Sequence, residues 1–346
     1  MPRPHHFSSP RAFVRAVAFE SRLRSARLQM ERGVSRADRS GRPLLVGPWL
    51  SEIGFELLYW IPLLRKLLRE HGVAPAQVTA LSRGGVRSWY AGVADGYTDL
   101  LELLTPSELR GAHEHRVTGA GDQKQQQVTG FDRRLWRRAA PERALCVHPL
   151  IMYTRLRYYW GGFAGLDEVE RRCEFAAIPP APPPKGLPAR YVAVKPYFSD
   201  CFPDTPENRA FTTEVLNALA AESDVVVMTT GLELDDHAEP DLPAHPRVHT
   251  LGSLVEPARN LEIQTAVVAA STALVATYGG PSYLGPFVGV PSVSFFSRDN
   301  HNPAHLAVAN LAAEKLDAPA PKLFDARRQG AAADAVTAAL SGDTES

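Results

Sequence analysis

The sequence predicts an α/β protein made of two parallel-sheet units that face each other across a cleft. Three observations carry this expectation. Apolar runs of strand length alternate with helical segments through most of the chain, the pattern of a parallel sheet covered on both faces. The stretch IPPAPPPKGLPAR at residues 178–190 holds six prolines in thirteen residues and divides that alternation in two; its composition gives an extended, semi-rigid connection. A length of 346 residues also exceeds what one hydrophobic core usually serves. The organisation that follows is a basic segment over 1–42, a first unit over 43–178, a hinge over 179–190 and a second unit over 191–346.

Composition narrows the function classes. Hydrophobic residues make up 45% and charged residues 22% of the chain, as in a globular protein. The formal net charge is zero, so the whole molecule gives no case for a nucleic-acid partner. Cys146, Cys173 and Cys201 are widely separated and form no CxxC pair, which suggests neither a disulfide framework nor a zinc site and fits a reducing, cytoplasmic setting. Residues that could clamp a metal are also scarce. No strand-terminal DxD or HExxH occurs, and His301 and His305 stand four apart without a third ligand nearby, so no metal and no cofactor are expected. Without a P-loop or GxGxxG, kinase and dehydrogenase chemistry fall away.

Residues 1–42 hold ten arginines, no lysine and three acids, Glu20, Glu31 and Asp38, giving a local charge near +7 in a neutral chain. Ala16, Phe19, Leu23, Ala26 and Met30 recur at helical spacing, which predicts a basic amphipathic helix over 11–32. Such a helix suits peripheral contact with an anionic membrane surface, on its inner face, or with an acidic partner. It is equally suited to packing on its own domain.

The first unit opens at Pro43. PLLVGP reads as a buried strand, WLSEIGFE as the loop beyond its carboxyl end and LLYWIPLLRKLLREHG as a helix ending near Gly72. QVTALSRGG reads as a second strand, with Arg83 at its C-terminal edge, where open α/β sheets bind ligands. The sequence around Asp99 to Leu104 reads as helical, HEHRVTGAGDQKQQQVTG as a loop without hydrophobic period, and RALCVHPLIMY as a strand whose end carries His148. Arg155, Arg157 and several aromatic residues follow.

The second unit repeats the pattern. RYVAVKP is a strand, NRAFTTEVLNALAAE a helix, DVVVMTTG and RVHTLG strands, and NLEIQTAVVAAS a helix. Then comes TALVATYGGPSYLGPFVGVPSVSFFS, residues 272–297: a buried strand, a glycine turn, a short helix and a second buried strand. Gly279 and Gly280 permit close backbone approach, Pro281 suits a first helical turn, and Ser282 can cap it. Unpaired N–H groups at such a turn suit a phosphate, although a turn chosen only for packing would look the same. Residues 303–341 read as mostly helical, closing on AAADAVTAAL.

Two stretches resemble the bacterial heptosyltransferases and related sugar-nucleotide transferases of GT-B architecture. In the first, Glu56 precedes Pro62 by six residues, and Leu63, Leu64 and Arg65 follow, as the family's acidic residue precedes its Pro and Leu-Leu-Arg-like helix. In the second, Gly279, Gly280, Pro281, Ser282, Tyr283 and Leu284 lead to Gly289, Val290, Pro291 and SVSFF, matching the family's glycine turn, helix, Gly-Val-Pro and strand. The two anchors span 43 to about 298, with pattern rather than identity between them. Departures are clear: the family's Gly-Asp is here Gly54-Phe55-Glu56, and Thr277-Tyr278 stands where an Asp usually precedes the second turn. TYGG and DTPENR are more loosely similar to fucosyltransferase-like sequences, so the resemblance does not name the sugar.

The resemblance implies a metal-independent, inverting glycosyltransferase of hexosyl- or heptosyltransferase type, acting in polysaccharide or glycoconjugate biosynthesis. Its partners would be a nucleotide-sugar donor and a glycan, lipid-linked or small-molecule acceptor. Inverting transfer needs a base for the acceptor hydroxyl and fixed positive charge or N–H dipoles for the leaving diphosphate. Glu56, in the apolar setting IGFELLYW, is the candidate base, because burial raises a carboxyl pKa toward a useful value; His148 competes for the role. The donor side is assigned to Lys195, Arg209, Asp235, Asp236 and the turn Gly279, Gly280, Pro281, Ser282 and Tyr283. The acceptor side is assigned to Arg83, Trp89, Tyr90 and Arg155. Two other readings keep the fold: a nucleotide-sugar epimerase, and a sugar-nucleotide-binding protein without catalysis.

Overall fold

A computed structural model describes residues 10–119, 125–232, 238–242 and 244–341, with some side chains of the first helix, those of 113–119 and that of Ser253 outside the description. It contains two all-parallel sheets flanked by helices. The first is built from β1 (Leu44–Val46), β2 (Val78–Ser82), β3 (Gly96–Asp99) and β4 (Leu145–Val147), in the order β3-β2-β1-β4. The second is built from β5 (Tyr191–Lys195), β6 (Asp224–Val227), β7 (Val248–Thr250), β8 (Ala273–Thr277), β9 (Ser292–Phe296) and β10 (Lys322–Asp325), in the order β10-β9-β8-β5-β6-β7. All residues of β1, β8 and β9 are buried, which is why these strands are continuous apolar runs rather than alternating ones.

Each sheet winds outward in one direction and then returns to the other side of its first strand. The reversal lies between β1 and β4 in the first sheet and between β5 and β8 in the second. Registers such as Val46↔Val147 and Lys195↔Ala276 align the C-terminal ends of those neighbours. Such reversal points leave a crevice outside the strand ends, the place where open α/β sheets take ligands.

The two reversal points meet. The helix start Ile53–Phe55, beyond β1, packs against the turn Gly280–Tyr283, beyond β8. A Cβ on Gly280 would lie 2.5 Å from Ile53 Cγ1 and 3.0 Å from the Gly54 nitrogen, and one on Gly54 would lie 2.9 Å from Gly280 Cα. Two glycines are therefore what lets the backbones approach so closely. Around them the Trp89 indole N–H donates to Thr265 Oγ1 at 3.0 Å, Tyr59 Oη lies 2.7 Å from His305 Nδ1, and Tyr159 Oη donates to the Ala304 carbonyl at 2.8 Å. One hydrophobic core runs through both halves, from Leu44 and Leu64 to Leu274 and Phe287. The expected cleft is closed down here to a cavity of about 20 Å³, lined by Ile53, Leu57, Trp89, Leu261, Gly280 and Leu284 among others.

Four local expectations are corrected. Residues 96–99, next to the stretch read as helical, form β3, and Asp99 ends it. Residues 113–119, the start of the stretch read as a loop, continue the helix Pro106–Gly119. The C-terminal stretch contains a strand, β10, between the helices Pro303–Leu316 and Ala331–Leu340. The strand expected through RALCVHPLIMY stops at Val147 and gives way to the helix Leu150–Arg155. The basic helix forms but runs longer, over Pro10–Ser40, and buries Met30, Val34 and Ala37. That i, i+4, i+7 spacing places one stripe of its C-terminal half on the first unit.

Candidate active site

Glu56 sits where the first reversal point meets the second. The chain enters a helix at Ile53–Phe55, widens into a π-helical turn over Glu56–Trp60 and resumes at Ile61–Glu70. The Ile61 N–H bonds to the Glu56 carbonyl five residues back. Pro62 follows with no N–H to offer Leu58, so the widened turn costs no bond that proline could have made.

The carboxyl of Glu56 is completely buried. Its Oε1 accepts hydrogen bonds from Ser82 Oγ at 2.5 Å and from the Tyr90 hydroxyl at 2.7 Å. Oε2 is also sealed from water and has no hydrogen-bond partner among the described residues. Burial pushes the pKa up to about 7, against the lowering pull of the Ser82 and Tyr90 hydroxyls and of the Arg83 charge, with Asp99 adding to the rise. The group is therefore balanced between acid and base near neutrality, which free carboxylates are not. Tyr90 is itself held well above its usual range, first by burial and then by the Glu56 charge, so it remains a donor.

The surrounding residues explain the placement. Ser82 is the last residue of β2, at its C-terminal edge. The turn after it is fixed by Asp99, whose Oδ2 accepts from the Gly85 N–H at 2.8 Å and from the Tyr97 hydroxyl at 2.9 Å. That turn leads into the short 3₁₀ helix Val86–Tyr90, which delivers Tyr90 to Glu56 and Trp89 to the opposite unit. Arg83 is half-buried beside the carboxyl.

His148 lies elsewhere. It follows β4, is wholly buried, and accepts the Leu150 N–H on Nδ1 at 3.1 Å, with Nε2 3.4 Å from Asp132 Oδ2. Its ring meets Trp136 edge-on, under the helix Gly130–Ala139. Arg155 ion-pairs with Glu31 of the long helix at 2.9 Å, a contact that ties that helix to the first unit.

On the other side, Lys195 ends β5 at the reversal point, and its Nζ donates to the Met228 carbonyl at 2.7 Å and to Glu239 Oε1 at 2.9 Å. Arg209 stands in the first turn of the helix Pro206–Glu222 and binds Asp204 through both Nε and Nη2, at 2.6 and 2.7 Å. Its guanidinium also lies 5.3 Å from the centre of the Phe198 ring. Asp235 and Asp236 lie outside the described residues. Gly279 has φ +151°, and a side chain there would strike the Tyr197 hydroxyl. Within the turn, Ser282 Oγ donates to the Gly279 carbonyl at 2.8 Å and the Ser282 N–H donates to the same carbonyl at 3.1 Å. Pro281 has no N–H, and the Tyr283 ring packs edge-on against Tyr278. Gly280 therefore brings the turn and Glu56's helix to one spot, but within the turn the Gly279 N–H already donates to Ser282 Oγ at 3.3 Å and the Ser282 N–H to the Gly279 carbonyl, and Lys195 and Arg209, in the same half, are likewise already paired.

Ser82, unlike its neighbour Arg83, carries no charge to mark it in the sequence; a small hydroxyl residue ending a buried strand is the signal that points to it. Tyr90 was assigned to the acceptor side, and its hydroxyl is spent on Glu56.

No protein-family model and no curated protein matches this chain. Among solved structures it is similar to the E. coli ADP-heptose lipopolysaccharide heptosyltransferase II, at 11% identity and a TM-score of 0.47, over 82% of this chain and 90% of that one. It is similar to the E. coli heptosyltransferase WaaC with ADP at 14% identity and a TM-score of 0.42, over 87% and 97% of the two chains. A glycotransferase of kitacinnamycin aligns over 87% of this chain and 93% of its own, at 14% identity and a TM-score of 0.34. The functional reading rests on this chain's own residues.

Proposed function

We propose that this chain is a glycosyltransferase that moves a sugar from a nucleotide-sugar donor to a hydroxyl acceptor, with inversion and with no need of a metal ion, in glycan or glycoconjugate assembly. The observation that carries the reading is the Glu56 carboxyl: sealed at the meeting of two sheet reversal points, held by two hydroxyls on one oxygen, unengaged on the other, and poised near neutrality. A group with those properties suits the base that takes the proton of an acceptor hydroxyl as it attacks the anomeric carbon. Entry of the substrates then requires the contact between Ile53 and Gly280 to part.

In this reading Arg83 and Trp89 face the acceptor, Tyr90 steadies Glu56, and Arg155 serves the acceptor side through the helix it anchors. The leaving diphosphate is received by the turn Gly279 to Tyr283 with Lys195 and Arg209, and Asp235 or Asp236 accepts from the ribose. An acceptor carried on lipid or on a growing polysaccharide is met at a membrane surface, and the arginine-rich helix over 11–32 is the segment suited to that contact. Among the described residues no helix is long and apolar enough to cross a membrane.

The test is a panel of nucleotide sugars offered to the purified protein with mixed acceptors, run alongside Glu56→Gln and His148→Gln. Transfer by the wild type that collapses in the Glu56 variant, with donor affinity kept, supports the assignment. Sugar conversion without acceptor, or collapse only in the His148 variant, overturns it.

A further inference from the structure

The carboxyl of Glu239 occupies a place that its own chain has furnished for an anion. Its Oε1 accepts from Lys195 Nζ at 2.9 Å and from the Thr230 N–H at 3.1 Å, and its Oε2 accepts from the N–H groups of Thr230 and Gly231, both at 3.2 Å. Gly231 has φ +64°, and the turn it makes aims two successive N–H groups at one point, the backbone arrangement of an anion-binding nest. Lys195 is aimed at the same point, because Nζ is also held by the Met228 carbonyl at 2.7 Å. Its side chain is only 13% exposed, so the ammonium has little room to turn elsewhere.

The carboxylate fills this cradle loosely. Charge-assisted N–H···O⁻ bonds run at about 2.7–2.9 Å, and only the lysine contact is that short. The Thr230 N–H is shared between the two oxygens, since a carboxylate has fewer oxygens than the cradle has donors. A diphosphate has free oxygens enough to give each donor its own, and it carries more charge. The occupant is also able to leave. Glu239 is 25% exposed, and the backbone beside it is held separately, by the Phe198 N–H bonded to the Ala238 carbonyl at 2.8 Å. A change of side-chain rotamer clears the cradle without undoing that pairing.

The cradle stands on the ligand side of the second sheet. Lys195 ends β5, residues 228–231 follow β6 directly, and the two strands are neighbours, so the three donors gather outside adjacent C-terminal ends. Met228, whose carbonyl anchors the lysine, also lines the cavity at which the two halves meet. We infer that Lys195 Nζ and the N–H groups of Thr230 and Gly231 form a phosphate subsite of this crevice, and that Glu239 is an internal stand-in which a ligand phosphate displaces. The inference rests on the reading of this edge as the donor side and adds two backbone donors and a built-in competitor. Phosphate binding here needs no transfer chemistry.

The experiment titrates the full chain with inorganic phosphate, inorganic pyrophosphate and the panel of nucleotide sugars, in the wild type, Glu239→Ala and Glu239→Gln. Freed of its competitor, the cradle binds pyrophosphate at least about tenfold more tightly in both variants, the effect of one charged hydrogen bond no longer contested. Adding Lys195→Met to Glu239→Ala abolishes that gain. Pyrophosphate also raises the melting temperature more in Glu239→Ala than in the wild type, which shows that the variant is folded when it binds. Pyrophosphate affinity that is absent, unchanged or weaker in both Glu239 variants, or a gain that survives Lys195→Met, overturns the subsite. Sugar transfer by the wild type alongside such a result leaves the proposed function standing and overturns the subsite alone. The same gain toward a nucleotide sugar assigns the phosphate to the donor. A gain confined to inorganic phosphate and pyrophosphate keeps the subsite and removes the donor reading of this edge.

Discussion

In the C-terminal half, Lys195 and Arg209 end in ion pairs with Glu239 and Asp204, whereas in the N-terminal half Glu56 is sealed from water with one oxygen left unengaged. Both kinds of site come from charged residues at the edges of parallel strands. A cation that is already paired has gained much of what an anion can give it, so a ligand phosphate wins only the difference. A buried carboxyl held by two hydroxyls is the opposite case, its charged form kept at a free-energy cost that Ser82, Tyr90 and Arg83 offset only in part. In the proposed role the contrast puts the proton chemistry in the first unit and requires the second to exchange existing pairs, side-chain and backbone alike, for a diphosphate.

The largest effect expected from this contrast is kinetic. Glu56→Gln keeps the side-chain size and removes the proton acceptor, so turnover should fall by about 10² to 10⁴ while donor affinity stays within a few-fold. The pH profile sharpens the assignment. In the proposed role the carboxylate is the active form, and with a pKa of about 7 wild-type turnover should rise with pH toward that value and level off above it, and the rise should vanish in the variant. A wild-type profile flat from pH 5 to pH 8 would remove Glu56 from the base role.

The second effect concerns stability and has the opposite sign. The folded-state pKa of about 7 lies above the ordinary value of 4.5, so the folded protein holds this proton more tightly than the unfolded chain does. The stabilisation is complete below about pH 4.5, is lost as pH rises toward 7 and is absent above that. At 1.36 kcal/mol per unit the difference is about 3 kcal/mol. Denaturant unfolding at pH 5 and pH 8 should show that decline in the wild type and a smaller one in Glu56→Gln. An equal decline in both proteins assigns it to other groups.

Much of this was legible in the sequence where one signal dominated. The buried central strands β1, β5, β8 and β9 announce themselves as short apolar runs, and the apolar setting of Glu56 gave the direction of its pKa. The edge strands did not. Gly96–Asp99 is half-buried and carries glycine and aspartate, with a register that sets Gly96 against Thr79, where a side chain would strike Thr79 Oγ1; its strand state comes from β2, and no local pattern encodes it. The partners of Glu56 were hidden for the same reason. Ser82 and Tyr90 stand 26 and 34 residues from it, and only sheet order brings them together. The pairing of Lys195 was likewise invisible, because an acid at 44 residues' distance leaves no trace at the lysine, whereas Asp204 stands five residues before Arg209 and is in plain local view.

The third effect tests how the two halves meet. Gly280→Ala puts a methyl group 2.5 Å from Ile53 Cγ1, a side chain that can turn, and 3.0 Å from the Gly54 nitrogen, which cannot. Overpacking of this kind costs about 1 to 3 kcal/mol. The melting temperature of Gly280→Ala should drop, and Ile53→Ala in the same chain should restore part of the loss by making room. If Gly280→Ala melts with the wild type, the contact between Ile53 and Gly280 contributes nothing to holding the halves together.

The smallest effect belongs to Arg209. Its pairs with Asp204 and Asp241 are exposed, and exposed pairs are worth about 0.2 to 1 kcal/mol each in stability. Arg209→Gln should therefore shift unfolding by less than about 1 kcal/mol. Donor binding should weaken by only about two- to fivefold, because a diphosphate at this site must displace Asp204 from the guanidinium fork and replaces one bidentate anion with another. Asp204→Asn separates the two contributions: it frees the fork, so donor affinity should rise in that variant if Arg209 reaches the diphosphate at all. Measured donor affinities for the two variants decide the matter. An unchanged value in Asp204→Asn takes Arg209 out of the donor site, and a loss above about fiftyfold in Arg209→Gln makes it a principal phosphate ligand, which would erase the contrast between the halves.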